Sequence, residues 1–186
     1  MIDLLHIAAL LDARECESIR AQLRSVAGAA AGLLGAKPEP LVRKTTRLAI
    51  PPALCSRITD LLMAQKERLA RHFAQNLATC EEPQFLRYEP GDFFVPHQDG
   101  NTPLLRDDSR FRKVSAVIFL SAPAPEPLPE TYGGGELMLH GPYGSREPPV
   151  RADAQPGTLV AFRAETTHEV TPVTHGERFT IVSWYR

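Results

Sequence analysis

At 186 residues, 43% hydrophobic and 23% charged, the chain has the length and composition of one globular domain with a substantial core. Its net charge of -1 gives no overall attraction to nucleic acid or to an anionic membrane. No apolar run approaches the roughly 18 residues of a membrane-spanning helix, and the opening MIDLLHIAALLDARE lacks the basic region of a secretory leader.

Three cysteines, Cys16, Cys55 and Cys80, are odd in number, widely spaced and never in a CxxC pair. That disfavours a disulfide framework or a cysteine zinc site, and it points to buried, inert thiols in a reducing cytoplasm.

Residues 1–35 read as helix: Asp12 and Glu15 have the form of a capping box, and Ile19, Leu23, Val26 and Ala30 follow as an apolar set. Between two proline pairs, 42–50 reads as a strand with Arg43, Thr45, Arg47 and Ala49 on one face. Ser56 is placed to cap a second helix running to about Leu77, with Ile58, Leu61, Leu62, Leu69 and Phe73 as its apolar stripe. From Gln84 the texture changes to short β-rich runs at 84–89, 93–97, 113–121, 136–140, 158–163, 167–173 and 178–185. Helices first and strands afterwards indicate an α+β arrangement, with helices buttressing one face of a sandwich or barrel. Two long connections, 100–112 and 121–135, lie among these strands as candidate covers over a site.

The stretch YEPGDFFVPHQD carries the strongest chemical signal. In extended backbone His97 and Asp99 point to the same face, within reach of one ion. Two ligands do not make a site, and His168, in AETTHEVTPVTH, is the best third. Two imidazoles and a carboxylate suit a non-haem Fe(II) with open positions. The bland alternative is a hydrogen-bonded pair beside the Asp99-Gly100-Asn101 turn. The HE of HEVTPVTH is no zinc-protease helix, because the next histidine falls seven positions on and Pro172 intervenes. His6, His72, His140 and His175 receive no role, and His175 is expected to be exposed.

In the last strand, RFTIVSWYR, alternation sets Arg178, Thr180, Val182 and Trp184 on one face. An inward arginine there needs an anion, which it can grip with two parallel hydrogen bonds while the Thr180 hydroxyl adds a third. The alternative is a strand-end arginine reaching solvent. Gly133-Gly134-Gly135 lacks the Lys-Ser/Thr of a phosphate loop and reads as a place where backbone meets backbone; Pro156-Gly157 reads as a turn before a buried strand.

Taken in order, RYEPGDFFVPHQD, RKVSAVIFLS, YGGGEL, QPGTLVAF and HEVTPVTHGERFTIVSWY resemble the prolyl 4-hydroxylase-like branch of the Fe(II)/2-oxoglutarate-dependent dioxygenases. The resemblance implies a double-stranded β-helix, or jelly roll, with N-terminal helices packed against the sheet. It implies a single domain, with 1–83 as a helical support region and 84–186 as the jelly-roll catalytic core. Carried over by position, His97, Asp99 and His168 would bind Fe(II), and Arg178 would pair with the distal carboxylate of 2-oxoglutarate. Thr180 would assist it, and Tyr88 would line the co-substrate pocket. In some relatives a tyrosine also touches that carboxylate, and the matching place here is Phe119. The implied chemistry takes dioxygen and 2-oxoglutarate, releases succinate and CO2, and hydroxylates a carbon of a prolyl or other amino-acyl group. The same chemistry on a small-molecule metabolite and a non-catalytic jelly-roll binding module stay open as alternatives, as do protein, peptide or small molecule as the substrate and the oligomeric state.

Overall fold

A computed structural model of the chain describes residues 2–31, 41–103, 106–141, 144 and 146–186. In chain order the elements are β1 (Leu4–Ile7), α1 (Ala13–Arg24), β2 (Gly28–Ala30), β3 (Arg43–Lys44), β4 (Thr46–Leu48) and α2 (Pro52–Phe73). Next come β5 (Gln84–Tyr88), β6 (Phe93–His97), β7 (Val114–Phe119), β8 (Ala122–Pro123), β9 (Thr131–Gly134) and β10 (Leu137–Gly141). The chain closes with β11 (Val150–Arg151), β12 (Leu159–Arg163), β13 (Thr167–Val170), β14 (Val173–Gly176) and β15 (Arg178–Tyr185).

A seven-stranded sheet runs β1-β12-β7-β15-β5-β4-β2, and a five-stranded sheet runs β11-β10-β13-β6-β3. A small sheet, β14-β9-β8, contains the parallel pair β8–β9. Residues of the two large sheets, Val117, Phe119, Val160 and Phe162 from one and Leu137 and Leu139 from the other, share one apolar cluster. The sheets therefore face each other as in a jelly roll.

Alternation along the strands gives the large sheet two different faces. Phe179, Ile181 and Tyr185 of β15 join Val114, Ala116 and Ile118 of β7 in the main core, against Ile58, Leu62, Leu69 and Phe73 of α2. The opposite face of β15 turns Arg178, Thr180, Val182 and Trp184 into a cleft between the sheets, as the alternation predicts.

The first 83 residues depart from the sequence reading. Residues 1–35 are not one helix: β1 pairs antiparallel with β12, Leu4 opposite Phe162 and Ile7 opposite Leu159. Ile2 and Leu4 pack on the inter-sheet cluster while Leu5 and Ile7 pack on the helix side. β1 is only four residues, LLHI, with His6 as its one exposed residue, and periodicity cannot separate so short an apolar run from a helix segment. The capping box is present at α1, with Asp12 Oδ1 accepting from Glu15 N at 2.8 Å and Glu15 Oε2 from Asp12 N at 2.8 Å. The final residues of the expected helix, 32–35, lie outside the described residues.

Helix α2 begins at Pro52, with Pro51 at its N-cap, and not at Ser56. Proline suits a first turn whose N–H groups lack helical partners. The helix ends at Phe73, because Ala74 turns left-handed at φ 50°. The expected strand 42–50 breaks at Thr45, with Arg43 and Lys44 pairing to β6 while Thr46–Leu48 pair to β5. The chain thus crosses from one sheet to the other.

Both glycine expectations hold. A Cβ on Gly134 would lie 2.2 Å from the Pro172 carbonyl oxygen. One on Gly157, at φ +78°, would lie 2.0 Å from that of Leu11.

Candidate metal and anion site

Antiparallel pairing of β6 and β13 sets His97 directly opposite His168, with ring centroids 4.2 Å apart. Between this pair and the next, Phe94 opposite Val170, β6 carries one residue more than β13. That bulge falls at Val95-Pro96, where proline gives up no ladder hydrogen bond it could have made. It brings Phe94, three residues before His97, onto the same side, so that the two rings stack at 3.5 Å.

Beyond the strand, the N–H groups of Asp99 and Gly100 both donate to the Ala164 carbonyl, at 2.9 and 3.1 Å. This holds the Asp99 carboxylate between the histidines: Oδ1 is 3.6 Å from His97 Nε2, and Oδ2 is 3.3 Å from His168 Nε2. One donor atom from each of the three residues falls within 4.8 Å of the others.

The imidazoles are oriented by their far nitrogens. His97 Nδ1 meets the Val95 carbonyl at 2.8 Å, and His168 Nδ1 meets that of Thr166 at 2.9 Å. A carbonyl only accepts, so each Nδ1 carries the proton and each Nε2 lone pair faces the shared space. Burial and the neighbouring His168 push the His97 pKa down. Burial acts on His168 in the same direction, but the Asp99 charge outweighs it and raises the pKa. Burial alone would raise Asp99; His168 and His97 hold it well below the usual carboxylate range instead. An ionised carboxylate and two oriented imidazoles fit a small divalent cation, whose ligands sit about 2 Å from it.

Arg178 lines the same cleft and is only 2% exposed. It lies across the strand ladder from Tyr88, and its guanidinium stands 5.0 Å from the Tyr88 ring and 5.4 Å from that of Phe119. Nη1 has a long contact, 3.5 Å, to Thr180 Oγ1, while Nε has no hydrogen-bond partner. Among the described residues no carboxylate pairs with it. A buried, permanent cation with unused donors fits a bound carboxylate.

The structure thus brings together all six residues singled out in the sequence: His97, Asp99, His168, Arg178, Thr180 and Tyr88. Phe119 stands over Arg178 with no polar atom to offer a carboxylate. The other histidines stay apart. His72 contacts Asp3 at 2.9 Å, His140 contacts Glu169 at 2.8 Å, and His175 is half-buried, not exposed as expected.

Three contributors are not evident in the sequence. Phe94 is reached only through the bulge. Ser115 donates from β7 to Asp99 Oδ2 at 2.7 Å. Arg112 lies in the connection that reads as a solvated cover. It is nonetheless buried, with 2.7 Å bonds to both oxygens of Glu81, its guanidinium over the Trp184 ring at 3.8 Å, and Nη1 3.4 Å from the Asp99 carbonyl.

Residues 83–186 match the 2OG-Fe(II) oxygenase superfamily. This chain belongs to that superfamily. It is a 2-oxoglutarate-dependent dioxygenase, with Fe(II), 2-oxoglutarate and dioxygen as its cofactor and co-substrates. A PKHD-type hydroxylase of Paraburkholderia xenovorans is 30% identical over 189 residues, which cover 97% of this oxygenase and 77% of the relative. In fold the oxygenase is similar to a Pseudomonas putida prolyl-4-hydroxylase, with TM-score 0.77 and 24% identity over 100% of this chain and 94% of the other. It is also similar to a Trichoplax adhaerens prolyl hydroxylase in complex with a hypoxia inducible factor peptide fragment, with TM-score 0.73, 17% identity and coverage of 100% and 84%.

Proposed function

We propose that His97, Asp99 and His168 hold the Fe(II) of this oxygenase and that Arg178 grips the distal carboxylate of 2-oxoglutarate. The observation that carries this reading is the meeting, in one cleft, of a converging two-histidine, one-carboxylate set with a buried arginine that no acid among the described residues neutralises. Thr180 adds its hydroxyl beside the guanidinium, and Tyr88 walls the carboxylate's place. When bound, iron and 2-oxoglutarate supply the oxidising chemistry, in which 2-oxoglutarate and dioxygen give succinate, CO2 and a hydroxyl on the substrate carbon. The chain's own part is placement. Oriented Nε2 atoms need no reorganisation to meet the metal. Arg178 would hold the co-substrate by its distal carboxylate within the cleft that the two histidines also line. Phe94, Phe162 and Val170 keep water from the far sides of the imidazoles.

The substrate we infer is a prolyl or other amino-acyl carbon within a polypeptide. The cleft has a volume of about 1140 Å³ and extends from Ala27–Ala31 to Trp184, with Arg47, Gln84 and Asp107 along it. That exceeds the roughly 300–1,000 Å³ that encloses a small ligand. The hydroxylase names of its relatives point the same way. Within a single domain, we read 1–83 as the supporting region and 84–186 as the catalytic core. Three free thiols, raised in pKa chiefly by burial, support a reducing cytoplasmic setting.

Anaerobic titration with Fe(II) and then 2-oxoglutarate tests the assignment. A weak visible charge-transfer band is expected, lost in His97→Ala together with iron binding. In Arg178→Ala iron binding persists, while the 2-oxoglutarate needed to develop the band rises about 100-fold, the loss of charged hydrogen bonds worth about 3 kcal/mol. Tight iron binding by His97→Ala, or unchanged 2-oxoglutarate affinity in Arg178→Ala, would overturn it.

A further inference from the structure

The Asp99 carboxylate has a partner besides the two histidines. Its Oδ2 accepts the Ser115 hydroxyl at 2.7 Å, a length typical of a charge-assisted bond. Ser115 is 1% exposed, in a strand whose next cleft-facing residues are Val117 and Phe119. A hydroxyl among apolar neighbours on the inner face of β7 is costly unless it has a partner, and Asp99 is that partner. β7 is also one of the most constrained strands of the fold, paired with β12 on one side and β15 on the other. In the ladder Ser115 lies opposite Phe162 and Trp184, so its Cβ has no freedom to drift.

We propose that Ser115 is a positioning residue for the metal site: it holds Asp99 Oδ2 and thereby fixes the orientation in which the carboxylate meets iron. This rests on the reading of Asp99 as a ligand. The backbone of Asp99 is fixed by the Ala164 carbonyl, but the carboxylate can still rotate about its own axis. Two free oxygens would let it swing between the histidines or chelate the ion with both. With Oδ2, which also lies 3.3 Å from His168 Nε2, held by Ser115, the carboxylate keeps one orientation.

The test compares wild type, Ser115→Ala and Ser115→Thr by titration with Mn(II), following the free ion by electron paramagnetic resonance, with circular dichroism melts as a check on folding. Ser115→Ala is expected to bind Mn(II) about tenfold or more weakly, the usual effect of losing a group behind a metal ligand. Ser115→Thr, which keeps the hydroxyl, returns toward wild type. Binding by Ser115→Ala within twofold of wild type overturns the proposal. Equal weakening in Ser115→Ala and Ser115→Thr overturns it too, since packing and not the hydroxyl would then be responsible. Failure of the wild-type protein to bind Mn(II) would instead strike the assignment of the three ligands.

Discussion

At the scale of single residues, the three metal-ligand candidates differ in how they hold protons, and the differences come from their neighbours. In the metal-free protein the Asp99 charge favours protonation of His168, while burial and the neighbouring imidazole disfavour protonation of His97. His168 has a folded pKa above its ordinary value of 6.5, so its pairing stabilises fully below that pH and fades as pH rises through the raised value. Asp99 shifts the opposite way, and its contribution is present above the ordinary 3.8 and lost as pH falls through the depressed value. Imidazole NMR of the metal-free protein should therefore show His168 titrating above 6.5 and His97 below it. In Asp99→Asn the His168 midpoint drops, because burial is then opposed only by the Thr166 carbonyl. Two histidines titrating together at the ordinary value would contradict this account. The difference in melting temperature between wild type and Asp99→Asn should likewise shrink as pH climbs past the His168 midpoint.

At the scale of elements, legibility followed the kind of interaction involved. Strand alternation in β15 is a local property, and it correctly placed Arg178 and Thr180 on the inner face and Phe179 and Ile181 on the outer one. The histidine–aspartate pair was legible because its chemistry is written in two residue types at one spacing. β1 was not, since four residues, LLHI, are too few to betray their period. Nor was β2, whose Gly28-Ala29-Ala30 has helical composition but pairs with β4. Phe94 escaped because a bulge adds a residue, and Arg112 because its partner Glu81 lies 31 positions earlier. Gly157 shows the converse, a turn residue whose need for glycine is set from outside its own segment. A Cβ there would meet the Leu11 carbonyl, just before the cap of α1, in a backbone conformation that side chains disfavour. Gly157→Ala should cost about 3 kcal/mol, from strain plus the displaced Leu11 N–H to Gly157 carbonyl bond at 3.2 Å. A thermal or urea melt measures it, and a change under about 0.5 kcal/mol would show that the loop moves aside freely.

At the scale of the whole molecule, the two faces of the large sheet separate stability from chemistry. The helix side buries Phe85, Ile118, Phe179 and Ile181 under α2, with the Tyr185 hydroxyl donating to the Leu62 carbonyl at 2.7 Å. The cleft side keeps Ser115, Thr180 and Arg178 where a core of equal size would place only hydrocarbon. Leu69 on α2 is fully buried in the helix-side core, so Leu69→Ala removes packing without touching a cleft residue. Its expected cost is about 2–5 kcal/mol, as for other buried leucine truncations. At a temperature where the variant remains folded, Mn(II) and 2-oxoglutarate affinities should match wild type within about twofold, because the β-ladder between the faces is unchanged. Phe162→Ala is the contrasting case. Phe162 belongs to the same sheet but faces inward, edge-on to His168 at 4.7 Å between ring centroids. Its truncation costs stability on a similar scale and also loosens the site: the His168 ring loses its wall, water gains access, and metal affinity falls with the melting temperature. Measured side by side, the two variants should lose comparable stability yet differ at least tenfold in Mn(II) affinity. Equal affinities would mean that the ladder hydrogen bonds alone orient His168, and that the aromatic wall serves packing only.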